Sequence, residues 1–326
     1  MLSMEDLKFL RVSLSLSLFW SLCTFAQSRT VAVTVDDLPY AVGDSTPAVS
    51  PSDATAADEI NRKLLSALKH HLAPVTGFVV QKRVEELGIA ASTHILRQWT
   101  TGEFDLGNHT YSHSDLNQLS VAQIEHEVIR GEASFVPLMK QVGKKPEFFR
   151  FPMNHTGDTK EKQEQVAAFL SKHGYRVAKC TIDNSDYLFN DAYVRMLARR
   201  DASSAQRLSL EYLSYTSAEV DYYAALSQQI FGYEVPQVIV LHDNRLNADM
   251  IEQILGMFEK KQYKFVSLDR AQSDPAYQIP DRYITKFGPM WGYRWASERG
   301  VKVNGSIEPE PPEWILQYGR QQPARP

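Results

Sequence analysis

Short apolar runs alternate with longer amphipathic segments along most of this sequence, and this alternation constrains the fold more than any other feature. Seven runs have strand-like composition, at residues 30–35, 75–80, 103–106, 147–151, 175–182, 237–241 and 263–266. Repeated strand–helix units favour parallel strands joined by right-handed crossovers. We therefore predict an α/β fold with a barrel-like sheet. A doubly wound open sheet is the alternative, although no G-x-G-x-x-G follows the first run.

The helical segments between these runs have recognisable ends. Ser120 and Gln123 form a capping box, and the pattern predicts one helix from there to Gly143. A second helix is expected to open near Asp158 and to end before Gly174. These boundaries support the strand–helix alternation.

The first part of the chain has the composition of a secretory signal. Residues 12–26 are apolar and uncharged, follow Lys8 and Arg11, and end in small residues. The stretch is shorter than the roughly 20 residues of a membrane span. We expect residues 1–26 to be a signal peptide cleaved near Ala26, which would give a secreted or periplasmic chain without an integral span. An uncleaved anchor is the alternative.

Charge and cysteine content narrow the possibilities further. The formal net charge of -4 gives no reason to expect nucleic acid as a partner. The chain has 2 cysteines, and cleavage near Ala26 would leave only Cys180. The mature chain would then contain no intrachain disulfide.

Side chains able to do chemistry cluster at or just after the predicted carboxyl ends of five strands. They are Asp36 and Asp37, then Asn108 with His109 and His113, then Arg150, then Asp183 and Asp186, and finally His242 with Asp243. In a parallel α/β barrel all strand carboxyl ends open on one face, where active sites lie. Taken singly, each residue has an ordinary structural role as a cap, turn or ion-pair partner. Their joint position favours a catalytic site.

The residue types in this cluster indicate hydrolysis. His109 and His113 can present two imidazoles to one ion, and a carboxylate would complete the set. Two histidines and one acid are typical of catalytic zinc and also of non-haem iron, so the ligands alone do not identify the metal. Adjacent aspartates on a strand point to opposite faces, so one of Asp36 and Asp37 can bind metal while the other acts as a base. A distal histidine acid would complete a hydrolytic centre.

At these positions the sequence resembles the polysaccharide deacetylases, which have the NodB-homology fold and form carbohydrate esterase family four. Five motifs occur in the family's order: residues 34–37 (Thr-Val-Asp-Asp), 109–113 (His-Thr-Tyr-Ser-His), 150–154 (Arg-Phe-Pro-Met-Asn), 183–187 (Asp-Asn-Ser-Asp-Tyr) and 238–243 (Val-Ile-Val-Leu-His-Asp). The resemblance spans residues 30 to about 268. It implies a distorted barrel of about seven β/α units.

The resemblance also implies a role for each catalytic residue. Asp36 would be the general base, and Arg150 would hold it in the ionised form. His242 would be the general acid that protonates the leaving group. Asp186 would orient or tune His242.

The resemblance further implies a metal site and a substrate site. The implied metal ligands are Asp37, His109 and His113, and the implied substrate-binding residues are Pro152, Asn154 and Tyr187. The expected ion is divalent zinc, with cobalt, manganese, nickel or iron as alternatives.

Two features depart from the family pattern. Leu38 and Pro39 follow the paired aspartates where the family usually has glycine, which changes the loop beside the site and can alter which sugar enters. The chain beyond residue 270 lies outside the motifs. We expect residues 27–270 to form the catalytic domain and residues 271–326 to be a C-terminal extension packed on it.

These observations lead to three functional hypotheses. The leading one is a secreted, metal-dependent hydrolase that removes acetyl groups from an N-acetylated aminosugar poly- or oligosaccharide. The second keeps the site but changes the substrate to an O-acetyl ester or a non-sugar amide. The third is a non-catalytic carbohydrate-binding protein on the same fold.

Overall fold

The computed structural model describes residues 28–41 and 53–320. The predicted signal peptide therefore lies outside the described residues. Within those two ranges, no helix combines the length and the apolar character that a membrane crossing requires.

A parallel sheet forms the centre of the fold. Its strands in the described ranges are β1 (Thr30–Leu38), β2 (Val75–Val79), β3 (Phe104–Asn108), β4 (Phe148–Phe149), β5 (Arg176–Val177), β6 (Ile182–Asp183), β7 (Gln237–His242) and β8 (Lys264–Phe265). Every pairing is parallel, in the order β5-β4-β3-β2-β1-β7-β6, with β8 beside the start of β1. The sheet curves into a half-barrel. The predicted α/β, barrel-like fold is confirmed.

The central strand is buried along almost its whole length. Val31, Ala32, Val33 and Val35 are at most 1% exposed, because helices cover one face of β1 and the barrel interior covers the other. Strands β2 and β7 pair on its two sides, and the β1–β2 register shifts between Val35 and Leu38. This strand carries Asp36 and Asp37 at its carboxyl end.

The predicted strand at residues 175–182 is two strands, and the prediction of one continuous strand is wrong. The Ala178 N–H donates to the Phe149 carbonyl, whereas the Thr181 N–H donates to the Val238 carbonyl. The segment thus leaves β4 at one edge of the sheet and joins β7 at the other. In the described ranges β5 and β6 do not pair, and this gap is the seam of the half-barrel.

Helices cover the outside of the sheet. They are α1 (Ala54–His70), α2 (Gln81–Leu87), α3 (Ile89–Gln98), α4 (Val121–Gly131), α5 (Phe135–Gln141), α6 (Lys160–Lys172), α7 (Asp186–Ala198), α8 (Ala202–Phe231), α9 (Arg245–Lys260), α10 (Leu268–Gln272), α11 (Trp291–Glu298) and α12 (Glu313–Arg320). Helix α1 packs along α9, α11 packs on α8, and α12 packs on α7.

The helix boundaries follow the sequence in part. The capping box of Ser120 and Gln123 is present, but the predicted helix to Gly143 is broken after Gly131. The break lets the Ser134 N–H donate to the Gln81 side chain and places Phe135 in the core. Helix α6 is capped by Thr159, whose hydroxyl accepts the Lys162 N–H.

Candidate active site

The carboxyl ends of the central strands surround one cavity of about 520 Å³. Eight of the ten predicted site residues line it: Asp36, Asp37, His109, His113, Arg150, Asn154, Tyr187 and His242. Asp183 lines it as well. Because these residues come from strand ends far apart in sequence, the parallel sheet is what brings them together.

Asp37, His109 and His113 form a group with the geometry of a metal site. One ligand atom from each side chain lies within 4.8 Å of the others. The Asp37 Oδ1 atom is 3.7 Å from His109 Nε2 and 3.5 Å from His113 Nε2. This oxygen is buried and has no hydrogen-bond partner among the described residues. A buried, unpartnered carboxylate oxygen facing two imidazole nitrogens fits a divalent cation.

A hydrogen bond to the backbone fixes the orientation of the His109 ring. Its Nδ1 atom lies 2.9 Å from the Arg150 backbone carbonyl, so Nδ1 carries the proton and Nε2 faces Asp37 with its lone pair. Burial lowers the pKa of His109 to about 4, and it lowers the pKa of His113 to about 4 as well. Both rings are therefore neutral at pH 7, the form that can bind a metal.

Arg83, at the start of α2, fixes the other oxygen of Asp37. Its Nη1 atom lies 2.7 Å from Asp37 Oδ2. Burial alone would raise the pKa of Asp37, but the Arg83 guanidinium and the nearby histidines together outweigh burial and hold that pKa well below the usual range. Asp37 is thus ionised, with Oδ2 on Arg83 and Oδ1 directed at the two histidines. The backbone at Asp37 is in the left-handed region, with φ of 77°.

Asp36 lies beside this group and faces Arg150. Arg150 Nη1 is 3.6 Å from Asp36 Oδ2, and Arg150 Nη2 donates to the Thr34 hydroxyl at 3.1 Å. Burial raises the pKa of Asp36 above its ordinary value, and the lowering effect of Arg150 offsets burial only in part. Arg150 therefore lowers the Asp36 pKa as the resemblance implies, but the net pKa stays above the ordinary value because burial has the larger effect. A carboxylate with a raised pKa is a better proton acceptor than an ordinary aspartate.

His242 lies across the cavity, and Asp186 supports it. The His242 Nδ1 atom is 2.7 Å from Asp186 Oδ1, and the His242 backbone N–H donates to Asp186 Oδ2 at 2.7 Å. Burial disfavours the charged imidazolium, but the Asp186 carboxylate, together with Asp36 and Asp37, outweighs burial and raises the His242 pKa to about 10. Asp186 is fully buried behind the histidine and does not line the cavity. The pair presents a protonated imidazole to the cavity at neutral pH.

The three predicted substrate residues differ in their positions. Tyr187 and Asn154 line the cavity, and the Tyr187 ring centre is 6.0 Å from that of His242. Pro152 does not line it. Pro152 begins a short 3-10 helix and is buried there, so the structure does not support its predicted contact with substrate.

Further residues that the motifs did not indicate contribute to the site, among them Arg83, Gly288 and Met290. Arg83 follows the second predicted strand, so the strand-end rule could have found it. Gly288 and Met290 come from the C-terminal extension and line the cavity wall. Their local sequence carries no signal of this position.

Comparisons with known proteins agree with the fold. Residues 26–178 match the family model described as polysaccharide deacetylase. A CE4 family pseudoenzyme from Bacillus anthracis matches at 13% identity and a TM-score of 0.50, over 75% of this chain and 66% of that chain. A mutant of the same protein with restored enzymatic activity matches at 14% identity and a TM-score of 0.51, over 75% and 68%. At these identities the likeness shows the fold alone.

A deacetylase structure from Bacillus cereus matches with a similarly low identity and a similar TM-score. This polysaccharide deacetylase matches at 19% identity and a TM-score of 0.49, over 73% of this chain and 91% of that chain. No curated protein matches the sequence. The predicted resemblance to the polysaccharide deacetylases is therefore confirmed by a family model over residues 26–178.

Proposed function

We propose that the chain is a metal-dependent hydrolase that removes acetyl groups from an N-acetylated aminosugar poly- or oligosaccharide. The observation that carries this proposal is the arrangement of three groups around one cavity. Asp37, His109 and His113 form a metal-ligand set. Asp36 and His242 line the same cavity, where they would act as the base and the acid. The match of residues 26–178 to the polysaccharide deacetylase model supports the reaction class, and the side chains supply the chemistry.

Asp37, His109 and His113 would hold a divalent metal, for which zinc suits the two imidazoles and one carboxylate. When bound, such an ion polarises an acetyl carbonyl and lowers the pKa of a water molecule beside it. The chain's own residues then move protons. Asp36 accepts the proton of the attacking water, and its raised pKa suits that role.

His242 completes the proton transfer. Its imidazolium donates a proton to the departing nitrogen when the carbon–nitrogen bond breaks, and Asp186 stabilises the charged ring before this step. Tyr187, next to His242, forms an apolar wall against which an acetyl methyl group can pack. Free amine and acetate are the products.

The fold by itself does not imply activity, because a structural neighbour with the same fold is described as a pseudoenzyme. The proposal rests on the residues: Asp36, Asp37, His109, His113 and His242 are all present and face one cavity. A carbohydrate-binding protein without catalysis would have no need for this combination.

The test is acetate release by the purified protein on a substrate panel, with zinc added or removed by a chelator. The panel holds N-acetylglucosamine oligomers, peptidoglycan fragments, acetylated xylan and 4-nitrophenyl acetate. We expect zinc-dependent release from an N-acetylated sugar. Release only from xylan or the small ester would favour the esterase hypothesis. No release from any substrate, with one zinc bound, would contradict the proposal.

A further inference from the structure

The C-terminal extension fills the seam of the half-barrel between β5 and β6. The Trp291 N–H donates to the Cys180 carbonyl at 3.1 Å, and the Gln272 side chain accepts the Lys179 N–H and donates to the Val177 carbonyl. These bonds satisfy backbone groups that no neighbouring strand satisfies. The extension is therefore built into the barrel wall next to the cavity.

One buried arginine ties the extension to the loop that follows β4. Arg294 is 1% exposed and donates to the Asn154 carbonyl at 2.8 Å, to the Thr156 hydroxyl at 2.9 Å and to Asp281 at 2.7 Å. Asn154 lines the cavity. A fully buried guanidinium that makes these bonds fixes the position of the extension relative to the site.

The extension also packs tightly against this loop at Gly288. A Cβ atom built there would lie 1.7 Å from the Met153 carbonyl oxygen, so any side chain would push the two segments apart. Two residues earlier, the Lys286 carbonyl accepts the Asn117 side-chain N–H at 3.3 Å, from the segment after His113. Residues 286–288 are thus held between the loop after β4 and the segment after His113.

Phe287 lies between these two anchors and is 78% exposed. Its neighbour Gly288 lines the cavity, as do Met153 and Tyr187, which are 47% and 49% exposed. An exposed aromatic side chain next in sequence to a cavity-lining residue is a candidate binding surface at the rim of that cavity. The C–H face of a sugar ring is a suitable partner for an aromatic ring that presents its face to water.

We propose that Phe287 is a platform for a second sugar ring, next to the sugar whose acetyl group is removed. This inference rests on the proposed function and narrows its substrate class to chains of at least two rings. The extension would then determine specificity, since single acetylated sugars or small esters would not reach Phe287.

The test compares Phe287→Ala, Phe287→Tyr and the wild type on N-acetylglucosamine oligomers of one to five units and on 4-nitrophenyl acetate. For Phe287→Ala we compare kcat/KM on the tetramer with kcat/KM on the ester, and we expect their ratio to fall about tenfold. The fall should come mainly from a higher KM for the tetramer, because roughly one aromatic contact with the sugar is lost. Phe287→Tyr should stay within about twofold of the wild type. Ile307→Ala, an exposed apolar residue elsewhere in the extension, is the matched control.

The outcomes separate this inference from the proposed function. An unchanged ratio in Phe287→Ala, with the wild type active on oligomers, would overturn the platform and leave the deacetylase intact. If the wild type released no acetate from any sugar, calorimetric titration with glucosamine tetramer would still test the platform. Equal affinity of the wild type and Phe287→Ala for the tetramer, or no binding by either, would overturn it.

Discussion

Asp186 lies directly behind His242 and contacts it twice, through the ring nitrogen Nδ1 and through the backbone N–H, each at 2.7 Å. Asn247 also donates to Asp186, so this carboxylate is fixed in position by both partners. It is fully buried, and the histidine ring lies between it and the cavity. The protonation state of His242 therefore depends on a residue that substrate does not touch.

Asp186→Asn should lower kcat by about 100-fold or more, because a neutral amide cannot stabilise the imidazolium of His242. The basic limb of the kcat profile should also move to lower pH, since the ion pair raises the His242 pKa. A purely structural role would lower activity without moving that limb. Bound metal and melting temperature serve as controls, and both should remain close to those of the wild type.

Metal removal should destabilise the protein. A ligand that binds only the folded state at 100 times its Kd adds about 2.7 kcal/mol to the free energy of unfolding. We expect a chelator to lower Tm and added zinc to restore it. In His113→Ala, whose side chain is 24% exposed and can be truncated at small cost to folding, Tm should no longer respond to zinc. A full zinc response in this variant would rule out the proposed ligand set.

Asn61 connects α1 to the segment that follows the paired aspartates and to Asp243 after β7. It is fully buried, donates to the Pro39 carbonyl and to Asp243, and accepts the Trp99 indole N–H at 2.7 Å. Asn61→Ala would leave these buried groups unsatisfied, so the free energy of unfolding should fall by about 2–4 kcal/mol. Urea denaturation measures this loss.

The neighbouring residue supplies the control for this prediction. Arg62→Ala removes an exposed side chain that pairs with Asp58 at 3.6 Å, and it should change stability by less than about 1 kcal/mol. Similar losses in both variants would mean that the Asn61 hydrogen bonds contribute little.

Glu219 on α8 should make stability depend on pH. It is 1% exposed, and burial raises its pKa from 4.5 to about 8 despite the opposing effect of the Tyr215 hydroxyl. Between those two values the unfolded chain is ionised at this position while the folded chain holds the proton. Stability therefore falls as pH rises through this window and levels off above it, with a slope of at most about 1.4 kcal/mol per pH unit.

Glu219→Gln should remove this dependence. The gain in free energy of unfolding over the wild type should grow between pH 5 and pH 8 and stay constant above pH 8. Glu211→Gln, a partly exposed position on the same helix, is the control and should show no such trend. A difference that is independent of pH would show that Glu219 is not protonated in the folded state.

The strand ends could be predicted from the sequence because apolar runs and the polar residues after them are local features. Asp36, His109 and His242 follow such runs and Arg150 lies at the end of one, and the parallel sheet places all four at one cavity. The same rule also points to Arg83, which follows the second run.

Two other features depend on contacts between distant parts of the chain, and no local pattern contains them. The break between β5 and β6 exists because Lys179 and Cys180 bond to residues of the extension about 90 or more positions later. Gly288 lies against Met153, far earlier in the sequence. The net pKa of Asp36 depends in the same way on burial, which only the folded structure reveals.

The most direct test of the account is to compare Asp36→Asn with the wild type for bound zinc and for acetate release from an N-acetylglucosamine tetramer. Asp36 is proposed as the base and not as a ligand, so the variant should bind one zinc as the wild type does and lose turnover by about 100-fold or more. Turnover that remains within a few fold of the wild type at equal zinc content would contradict the proposed mechanism.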